Sequence, residues 1–281
     1  MVDERVRSGG LTAVFTAKMR ELESNREDAQ IVDSLAGVFV SASGLDYSMV
    51  SLSDMTGERL FESNVIRTWW IDRGLDRALD AGCRQVVIVG GGLDSRAFRL
   101  QRPGVRWFEV EGAALGAFKR DVLTSEGMLD GRDDWVQVDA SPAIADAWAE
   151  ALPVLGFSRE VATCWVWEGM FYLSGTECAE ALRMMADMSS AGSRCIVAHF
   201  GPASLIEAQT QEMASQASSQ AGRSFKSTVA DPVEWSAAGG WSVLTAETIA
   251  AAGARIGREV VYSVAEQPGQ EYTWLMDLVL A

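Results

Sequence analysis

Hydrophobic residues follow two different spacings along the chain. Up to about residue 80 they recur at helical spacing, which predicts one amphipathic helix from Leu11 to Leu22 and a second from about Leu60 to Leu79. Beyond residue 80, short apolar runs alternate with amphipathic segments. Strands are predicted near 85–89, 105–110, 135–138, 161–167 and 193–199, with helices between the earlier ones. This alternation is typical of a parallel sheet with crossover helices.

The last third of the chain departs from this alternation. Residues 203–230 are rich in Ala, Ser, Gln and Glu, which suits a lid or partner-contacting insertion at about 201–240, and equally a solvated surface excursion. A helix over 245–254 and strands near 258–265 and 272–280 are predicted to close the chain. We therefore expect an α/β fold with a mostly parallel, seven-stranded sheet and helices on both faces. A helical cap over 1–80 would precede this core over 81–281.

Composition and charge narrow the function classes. The chain has 281 residues, of which 48% are hydrophobic, so a large core is expected. A formal charge of −15 argues against binding to nucleic acids or anionic membranes. The sequence begins without a basic and apolar leader, and the four cysteines are scattered without a Cys-x-x-Cys pair, as expected of reduced thiols in a cytoplasmic protein. A single histidine, His199, excludes a multi-histidine site, and no metal is expected.

A glycine-rich loop follows the first predicted strand. The apolar run Val86–Val89 leads directly into Gly90, Gly91 and Gly92, where the backbone can approach a ligand closely. A dinucleotide fingerprint would place a third glycine at position 95, where this chain has Ser95, and Asp94 would oppose a pyrophosphate. S-adenosylmethionine has no pyrophosphate. It therefore fits better than a nicotinamide dinucleotide, although an NAD(P) site and a ligand-free turn stay open.

The next three predicted strands each end in an acidic residue. Glu111 lies ~20 residues after the glycines, where a carboxylate accepts the hydroxyl groups of an adenosine ribose. Asp139 could accept a proton from an adenine amino group while Ala140 lines the ring, and Glu168 ends the fourth strand. A solvated strand end for Glu111 and an ordinary helix start at Asp139 are the structural alternatives.

These motifs together resemble those of the leucine carboxyl methyltransferase family. The segment 89–100, Val-Gly-Gly-Gly-Leu-Asp-Ser-Arg-Ala-Phe-Arg-Leu, is similar to the family's Gly-x-Gly-Leu-Asp-Ser/Thr-Arg-Ala signature. Val65-Ile66-Arg67-Thr68 resembles its Val-x-Arg-Thr helix, and Phe108-Glu109-Val110-Glu111 stands where the family usually ends in aspartate. Val138-Asp139 and Trp167-Glu168-Gly169 also match, but the gap from there to Tyr172-Leu173 is one residue shorter than the common form.

The resemblance implies a Rossmann-like class I methyltransferase fold that binds S-adenosyl-L-methionine and releases S-adenosyl-L-homocysteine. It further implies that Arg67, and less directly Lys18, contact the methionine carboxylate of the cofactor; for Lys18, snorkelling at the helix edge is an alternative. The candidate cofactor-binding residues are Lys18, Arg67, Gly90, Gly92, Asp94, Glu111, Asp139, Ala140 and Glu168.

Methyl transfer requires chiefly that the acceptor be aligned behind the methyl carbon. A carboxylate acceptor needs no general base, whereas a phenol would benefit from one. The catalytic candidates are His199, as a base or a buried structural histidine, and Tyr172, as a positioning group. Bacterial members of the family include O-methyltransferases of polyketide synthesis.

The expected function is therefore O-methylation of a carboxylate or hydroxyl of a small molecule in secondary metabolism, with a protein C-terminal carboxylate as a rarer acceptor. An NAD(P)-dependent oxidoreductase and a non-catalytic cofactor-binding homologue are the alternatives. The sequence leaves homo-oligomerisation open.

Overall fold

The computed structural model describes residues 2–7, 10–46, 55–204, 226–262 and 271–281. Four helices come first in the chain: α1 (Glu4–Arg7), α2 (Leu11–Ser24), α3 (Ala36–Ser43) and α4 (Met55–Asp80). The two predicted amphipathic helices correspond to α2 and α4, and both are confirmed. Loop 25–35 between α2 and α3 is held by Asp33, whose carboxylate accepts the backbone N–H groups of Leu35 and Ala36.

A seven-stranded sheet forms the centre of the molecule. Its strands, in chain order, are β1 (Gln85–Val89), β2 (Arg106–Glu111), β3 (Trp135–Asp139), β4 (Thr163–Trp167), β5 (Arg194–Phe200), β6 (Ser242–Thr248) and β7 (Thr273–Val279). In space the order is β3-β2-β1-β4-β5-β7-β6. β7 runs antiparallel to both of its neighbours, and the other pairings are parallel. The predicted mostly parallel sheet is therefore confirmed.

Helices cover both faces of this sheet. The later ones are α5 (Arg96–Arg99), α6 (Ala113–Ser125), α7 (Ala145–Val154), α8 (Gly175–Asp187), α9 (Pro232–Ala237) and α10 (Ile249–Ala254), with a 3-10 turn at Met170–Tyr172. The continuous apolar run in β1 has the predicted explanation, because the strand is buried on both faces. Val87 and Val89 pack with α7 and α8, whereas Val86 and Ile88 pack with α4.

The predicted C-terminal elements are partly wrong. Residues 245–248 belong to β6 and not to a helix, and the helix begins only at Ile249, where the Thr248 side chain accepts the Ala251 N–H. In the predicted strand near 258–265, residues 258–262 have no strand structure, and 263–270 lie outside the described residues. Pairing with β7, which is remote in sequence, makes 242–248 an edge strand.

The sequence predicts the cap from helical spacing and the insertion from composition. Helix α4, assigned to the cap over 1–80, packs directly on the sheet through Ile66, Trp70, Ile71 and Leu75. The division at residue 80 stays a prediction. Of the insertion at about 201–240, residues 205–225 lie outside the described residues, so its role as a lid also stays a prediction. Among the described helices none combines the length and apolarity needed to cross a membrane, and all four cysteines are free and buried.

Candidate functional site

The carboxyl ends of β3, β2, β1 and β4 meet at one edge of the sheet, as the strand order requires. Glu111 at the end of β2 lies beside Asp139 at the end of β3. The glycine loop follows β1, and Glu168 follows β4. The four chemically distinctive strand ends singled out from the sequence therefore lie next to one another, at the edge where open α/β sheets bind ligands.

The glycine loop adopts a conformation that requires glycine at two positions. Gly90 and Gly92 have φ of +69° and +55°, in the left-handed region. A Cβ on Gly92 would also lie 2.9 Å from the Cβ of Ala13, so glycine at this position lets α2 pack against the loop. At Gly90 a Cβ would meet nothing nearer than Pro142, at 3.5 Å. The loop is therefore exposed at Gly90, beside Pro142, and is closed above Gly92 by the cap.

Glu111 joins the loop to the end of β2. Its carboxylate accepts the Gly92 N–H at 2.8 Å and the Gly112 N–H at 2.7 Å, one bond on each oxygen. The side chain is only partly buried, and each carboxylate oxygen can accept more than one hydrogen bond. The chemistry of this residue therefore suits the ribose hydroxyl groups that sequence reasoning assigned to it. The longer glutamate still reaches the loop from a position where the family usually has aspartate.

Asp94 points into the protein. One carboxylate oxygen accepts the Arg96 backbone N–H at 2.7 Å and the other accepts the Arg96 Nη1 at 2.6 Å. Burial would raise the pKa of Asp94, but the positive charges of Arg96, Arg20 and Lys119 outweigh it and lower the pKa to about 2. The structure thus gives Asp94 a role in shaping the loop, and its predicted contact with the cofactor stays a prediction.

Arg96 is a functional-site residue that sequence reasoning did not single out. It is 2% exposed, and besides Asp94 it donates to Asp72 of α4 at 2.7 Å and to Glu168. Burial would lower the pKa of Arg96, but its three carboxylate partners hold it well above the usual value. Arg99 reinforces the cluster by donating to Asp72 at 2.8 Å. The sequence signal for Arg96 is an arginine inside the glycine-loop motif. A cation that is buried there needs an acidic partner.

Arg67 and Glu168 form an ion pair at the site, with 2.7 Å between Arg67 Nε and Glu168 Oε2. Their side chains are 22% and 25% exposed. The Arg67 Nε atom is buried, and its contact with Glu168 is an ion pair that lacks hydrogen-bond geometry. Burial would raise the pKa of Glu168, but Arg96 and Arg67 outweigh it and lower the pKa. A cation and an anion therefore stand side by side, as a zwitterionic ligand would require.

The remaining cofactor candidates have partners of their own. Lys18 Nζ binds Glu21 Oε2 on the same helix at 2.8 Å, which fits the helix-edge alternative. Asp139 is exposed and pairs with Arg120 at 3.0 Å. The helix-start alternative for Asp139 is wrong, because α7 begins only at Ala145. Ala140 stays attached to β2, donating its N–H to the Glu111 carbonyl oxygen at 3.1 Å.

His199 is enclosed in the protein interior. It has no exposed surface, and burial lowers its pKa to about 4, so the imidazole is neutral near pH 7. Nδ1 lies 3.1 Å from the Phe200 carbonyl oxygen and Nε2 lies 3.3 Å from Ser227 Oγ. This geometry favours the buried structural histidine over the general base. Tyr172 lies nearby in the 3-10 turn, partly exposed, with its ring centroid 4.7 Å from that of Phe171.

Comparison with known proteins agrees with this geometry. The model of the leucine carboxyl methyltransferase family matches residues 13–186. The chain belongs to the leucine carboxyl methyltransferase family. A relative from Streptomyces avermitilis, named a candidate S-adenosyl-L-methionine-dependent methyltransferase, is 36% identical over 278 residues and covers 92% of each chain. A second, from Streptomyces coelicolor and named likewise, is 35% identical and covers 82% of each chain.

Solved structures resemble this methyltransferase in fold. A DUF574 family protein from Streptomyces avermitilis has a TM-score of 0.57 at 13% identity, covering 95% of this chain and 97% of that one. Magnesium protoporphyrin IX methyltransferase from Synechocystis, solved with S-adenosylhomocysteine, has a TM-score of 0.52 at 10% identity and covers 95% and 99%. The Rossmann-like class I methyltransferase fold expected from the sequence is confirmed.

S-adenosyl-L-methionine is the cofactor of this family member, and the described residues fit it. The exposed Gly90, the free acceptor capacity of Glu111 and the opposite charges of Arg67 and Glu168 all lie at the same sheet edge. Family membership gives no support to the NAD(P) oxidoreductase alternative.

Proposed function

We propose that this methyltransferase transfers the methyl group to the oxygen of a carboxylate on a small molecule in secondary metabolism, with a hydroxyl as the second candidate acceptor. The observation that carries the carboxylate assignment is the enclosure of His199, the chain's single histidine. A carboxylate is ionised at neutral pH and needs no base, whereas a phenol with a pKa near ~10 would benefit from one. A neutral, buried imidazole cannot reach an acceptor.

Cofactor binding is assigned to the residues at the sheet edge. Glu111 would accept the ribose hydroxyl groups, Asp139 and Ala140 would flank the adenine, and Gly90 would lie beneath the nucleoside, with Gly92 contributing through the shape of the loop. Arg67 would bind the carboxylate of the methionine part and Glu168 its ammonium group, because the two side chains already present opposite charges 2.7 Å apart. Lys18 and Asp94 are the weaker members of this set, since both are held by partners within the protein.

Catalysis then depends on position. S-adenosylmethionine supplies an electrophilic methyl group on a positively charged sulfur. Arg96 keeps Glu168 and Asp94 in place, and this fixes the amino-acid end of the site relative to the glycine loop. Holding two reactants in line can lower the barrier by about 7–11 kcal/mol in favourable cases. The 3-10 turn with Tyr172, which follows Glu168 in the chain, is placed to border the acceptor and exclude water.

Paired acceptors test this proposal. Aromatic acids and phenols with the same ring system should be incubated with the protein and cofactor carrying a radiolabelled methyl group. We expect label in the acids and its release as methanol on mild alkaline treatment, because methyl esters hydrolyse and aryl methyl ethers do not. Alkali-stable label confined to phenols would contradict the carboxylate assignment, and absence of transfer to any acceptor would favour the non-catalytic alternative.

A variant adds a second, independent test. His199→Asn should reduce turnover by no more than about tenfold, because the side chain reaches no acceptor, whereas loss of a general base costs about 100-fold or more. A collapse of kcat with normal cofactor affinity would restore His199 as the base.

A further inference from the structure

The Ser227 side chain lies in a buried polar cluster that the proposed chemistry does not use. Its Oγ donates to the Leu173 carbonyl oxygen at 2.6 Å and lies 3.3 Å from His199 Nε2. Cys178 Sγ lies 3.6 Å from Ser227 Oγ and 3.9 Å from His199 Nε2. All three residues are buried, Ser227 to 9% exposure and the other two completely. The cluster joins α8, the end of β5 and the segment before α9.

The hydrogen-bond partners of His199 determine its tautomer and the direction of the hydrogen bonds in the cluster. His199 Nδ1 faces a carbonyl oxygen, so it carries the proton and Nε2 is left as an acceptor. The Ser227 hydroxyl and the Cys178 thiol then supply two hydrogens to Nε2 and to the carbonyl oxygens of Met170 and Leu173. The shortest of these contacts is the one from Ser227 to Leu173. The imidazole also lies edge-on to the Phe171 ring of the 3-10 turn, with ring centroids 6.3 Å apart.

Three backbone carbonyl groups at and just after the 3-10 turn are held by this cluster and by the neighbouring residue Lys226. The carbonyl oxygen of Met170 faces Cys178 Sγ at 3.4 Å, that of Phe171 accepts the Lys226 N–H at 2.9 Å, and that of Leu173 accepts Ser227. The segment 226–229 is itself attached to β5, because the Val229 N–H donates to the Phe200 carbonyl oxygen at 2.8 Å. Phe171 also stacks on Phe200, with ring centroids 4.1 Å apart.

We propose that Ser227 is a positioning residue for methyl transfer: with His199 and Cys178 it fixes the 3-10 turn at Met170–Tyr172, and thereby the wall that Tyr172 presents to the acceptor. This inference rests on the proposed function for the identity of the acceptor side. The turn begins two residues after Glu168, so a small displacement of its backbone moves the acceptor wall relative to the cofactor site. Misplacement of reacting groups by about 1 Å can cost about 100-fold in rate.

Three variants of the full-length protein test the proposal. Ser227→Ala removes the hydroxyl, and Ser227→Thr retains it. Ser236→Ala is the matched control, because Ser236 is likewise a buried serine and donates to a backbone carbonyl oxygen, that of Val233 within α9. Hydrogen exchange of the peptide spanning 169–174 reports on the turn, calorimetry with S-adenosylhomocysteine reports on the cofactor site, and steady-state kinetics reports on the acceptor.

We expect exchange in 169–174 to become about tenfold faster in Ser227→Ala, since one buried hydrogen bond is lost. The acceptor kcat/KM should fall by about tenfold, and S-adenosylhomocysteine affinity should stay within about twofold. Ser227→Thr should restore most of both losses, and Ser236→Ala should cause neither. Unchanged exchange in Ser227→Ala, or equal effects of the two alanine variants, would overturn the positioning role. Lack of S-adenosylhomocysteine binding by the wild-type protein would instead overturn the proposed function, and the exchange result would still decide the role of Ser227.

Discussion

Arg67 and Glu168 present opposite charges to a ligand that carries opposite charges. Both also belong to a wider cluster in which the numbers of positive and negative charges are equal. Its members are Arg67, Arg96, Arg99, Asp72, Asp94 and Glu168. A zwitterionic amino-acid group, whose own charges sum to zero, can enter such a cluster without leaving an unpaired charge, whereas a simple anion or cation cannot. Selectivity for the amino-acid end of the cofactor is therefore expected to reside in this pair.

The pair is tested by comparing S-adenosylhomocysteine with 5′-methylthioadenosine, which has the same nucleoside and thioether but no amino-acid group. Arg67→Ala should weaken S-adenosylhomocysteine by about 30-fold, since a charge-assisted contact contributes about 2 kcal/mol, and should leave methylthioadenosine nearly unchanged. Arg73→Ala, on the exposed side of the same helix, is the control and should affect neither ligand. Calorimetric titration measures all six affinities, those of the wild type and the two variants for each ligand. Equal weakening of both ligands by Arg67→Ala would place Arg67 away from the amino-acid end.

The lowered pKa of His199 predicts how the free energy of unfolding depends on pH. Its pKa is lowered from 6.5 to about 4 in the folded protein, so between these values the unfolded chain binds a proton that the folded chain does not. Stability is therefore lost as pH falls from 6.5 towards 4, by about 1.4 kcal/mol per pH unit. Between pH 7 and pH 5 the wild-type protein should lose about 2 kcal/mol more than His199→Asn, as measured by denaturant unfolding. An equal loss in both proteins would mean that the imidazole is accessible to protons in the folded state.

Some residues of the candidate site could be predicted from the sequence, and others could not. Glu111, Glu168 and Arg67 could be found because strand ends and motif spacing place them, and those features are local in the chain. Arg96 has a local signal in the glycine-loop motif, but its contacts with Asp72 of α4 and with Glu168 after β4 could not be predicted from that motif. Ser227 has no local signal, because its partners lie on α8 and β5 and only the folded chain brings them together.

Among the elements, the glycine loop and α2 depend on each other most directly. A substitution at Gly92 is unfavourable for two reasons: the backbone φ is positive, and the new Cβ would lie 2.9 Å from the Cβ of Ala13. Gly104 has a φ of +76° but open space around its Cβ position. Gly104→Ala should therefore lower stability by about 1 kcal/mol through backbone strain alone. Gly92→Ala should cost about 1–3 kcal/mol more because the cap must shift.

Both glycine variants can be compared by denaturant unfolding, with S-adenosylhomocysteine affinity as a second measurement. Gly92→Ala should also weaken the ligand, whereas Gly104→Ala should not. Equal stability of the two variants would show that α2 can shift to accommodate the added Cβ without loss of stability.

Strand β6 shows why some elements escaped prediction. Its sequence, Ser-Val-Leu-Thr-Ala-Glu-Thr, has the composition of a helix at its end, and its burial is incomplete because it is an edge strand with Leu244 51% exposed. β1 was predicted to the residue since burial on both faces leaves an unbroken apolar run. An edge strand has no such signal, and pairing with β7 decides its structure.

In the part of the chain that the structure describes, several contacts attach the N-terminal helices to the sheet and to the segments around it. Helix α4 is itself the cover of one sheet face. Arg20 of α2 donates to the Leu93 carbonyl oxygen after the glycine loop at 2.7 Å. Arg258, which follows α10, donates to both carboxylate oxygens of Glu23 at 3.0 and 3.1 Å, and Glu23 is fully buried. We therefore expect the N-terminal helices and the sheet to unfold as one unit.

Arg258 offers the sharpest test of that cooperativity. Arg258→Met keeps most of the side-chain volume but leaves the Glu23 carboxylate buried with the Gln30 N–H as its nearest remaining donor, at 2.6 Å. Removing one partner of a buried ion pair costs about 3 kcal/mol, which corresponds to a fall of roughly 6 °C in the melting temperature of a chain of this size. Arg255→Met removes an exposed arginine from a surface pair with Glu247 and should change the melting temperature by about 2 °C or less.

If the helices and the sheet form one cooperative unit, scanning calorimetry of Arg258→Met will show a single transition that moves as a whole. Saturating S-adenosylhomocysteine should raise the transition of the wild type and of Arg258→Met by similar amounts, because Arg258 belongs to the attachment of α2 and not to the cofactor site. Two resolved transitions, with the ligand shifting one of them alone, would instead show that the cap and the sheet unfold separately and would support a domain boundary near residue 80.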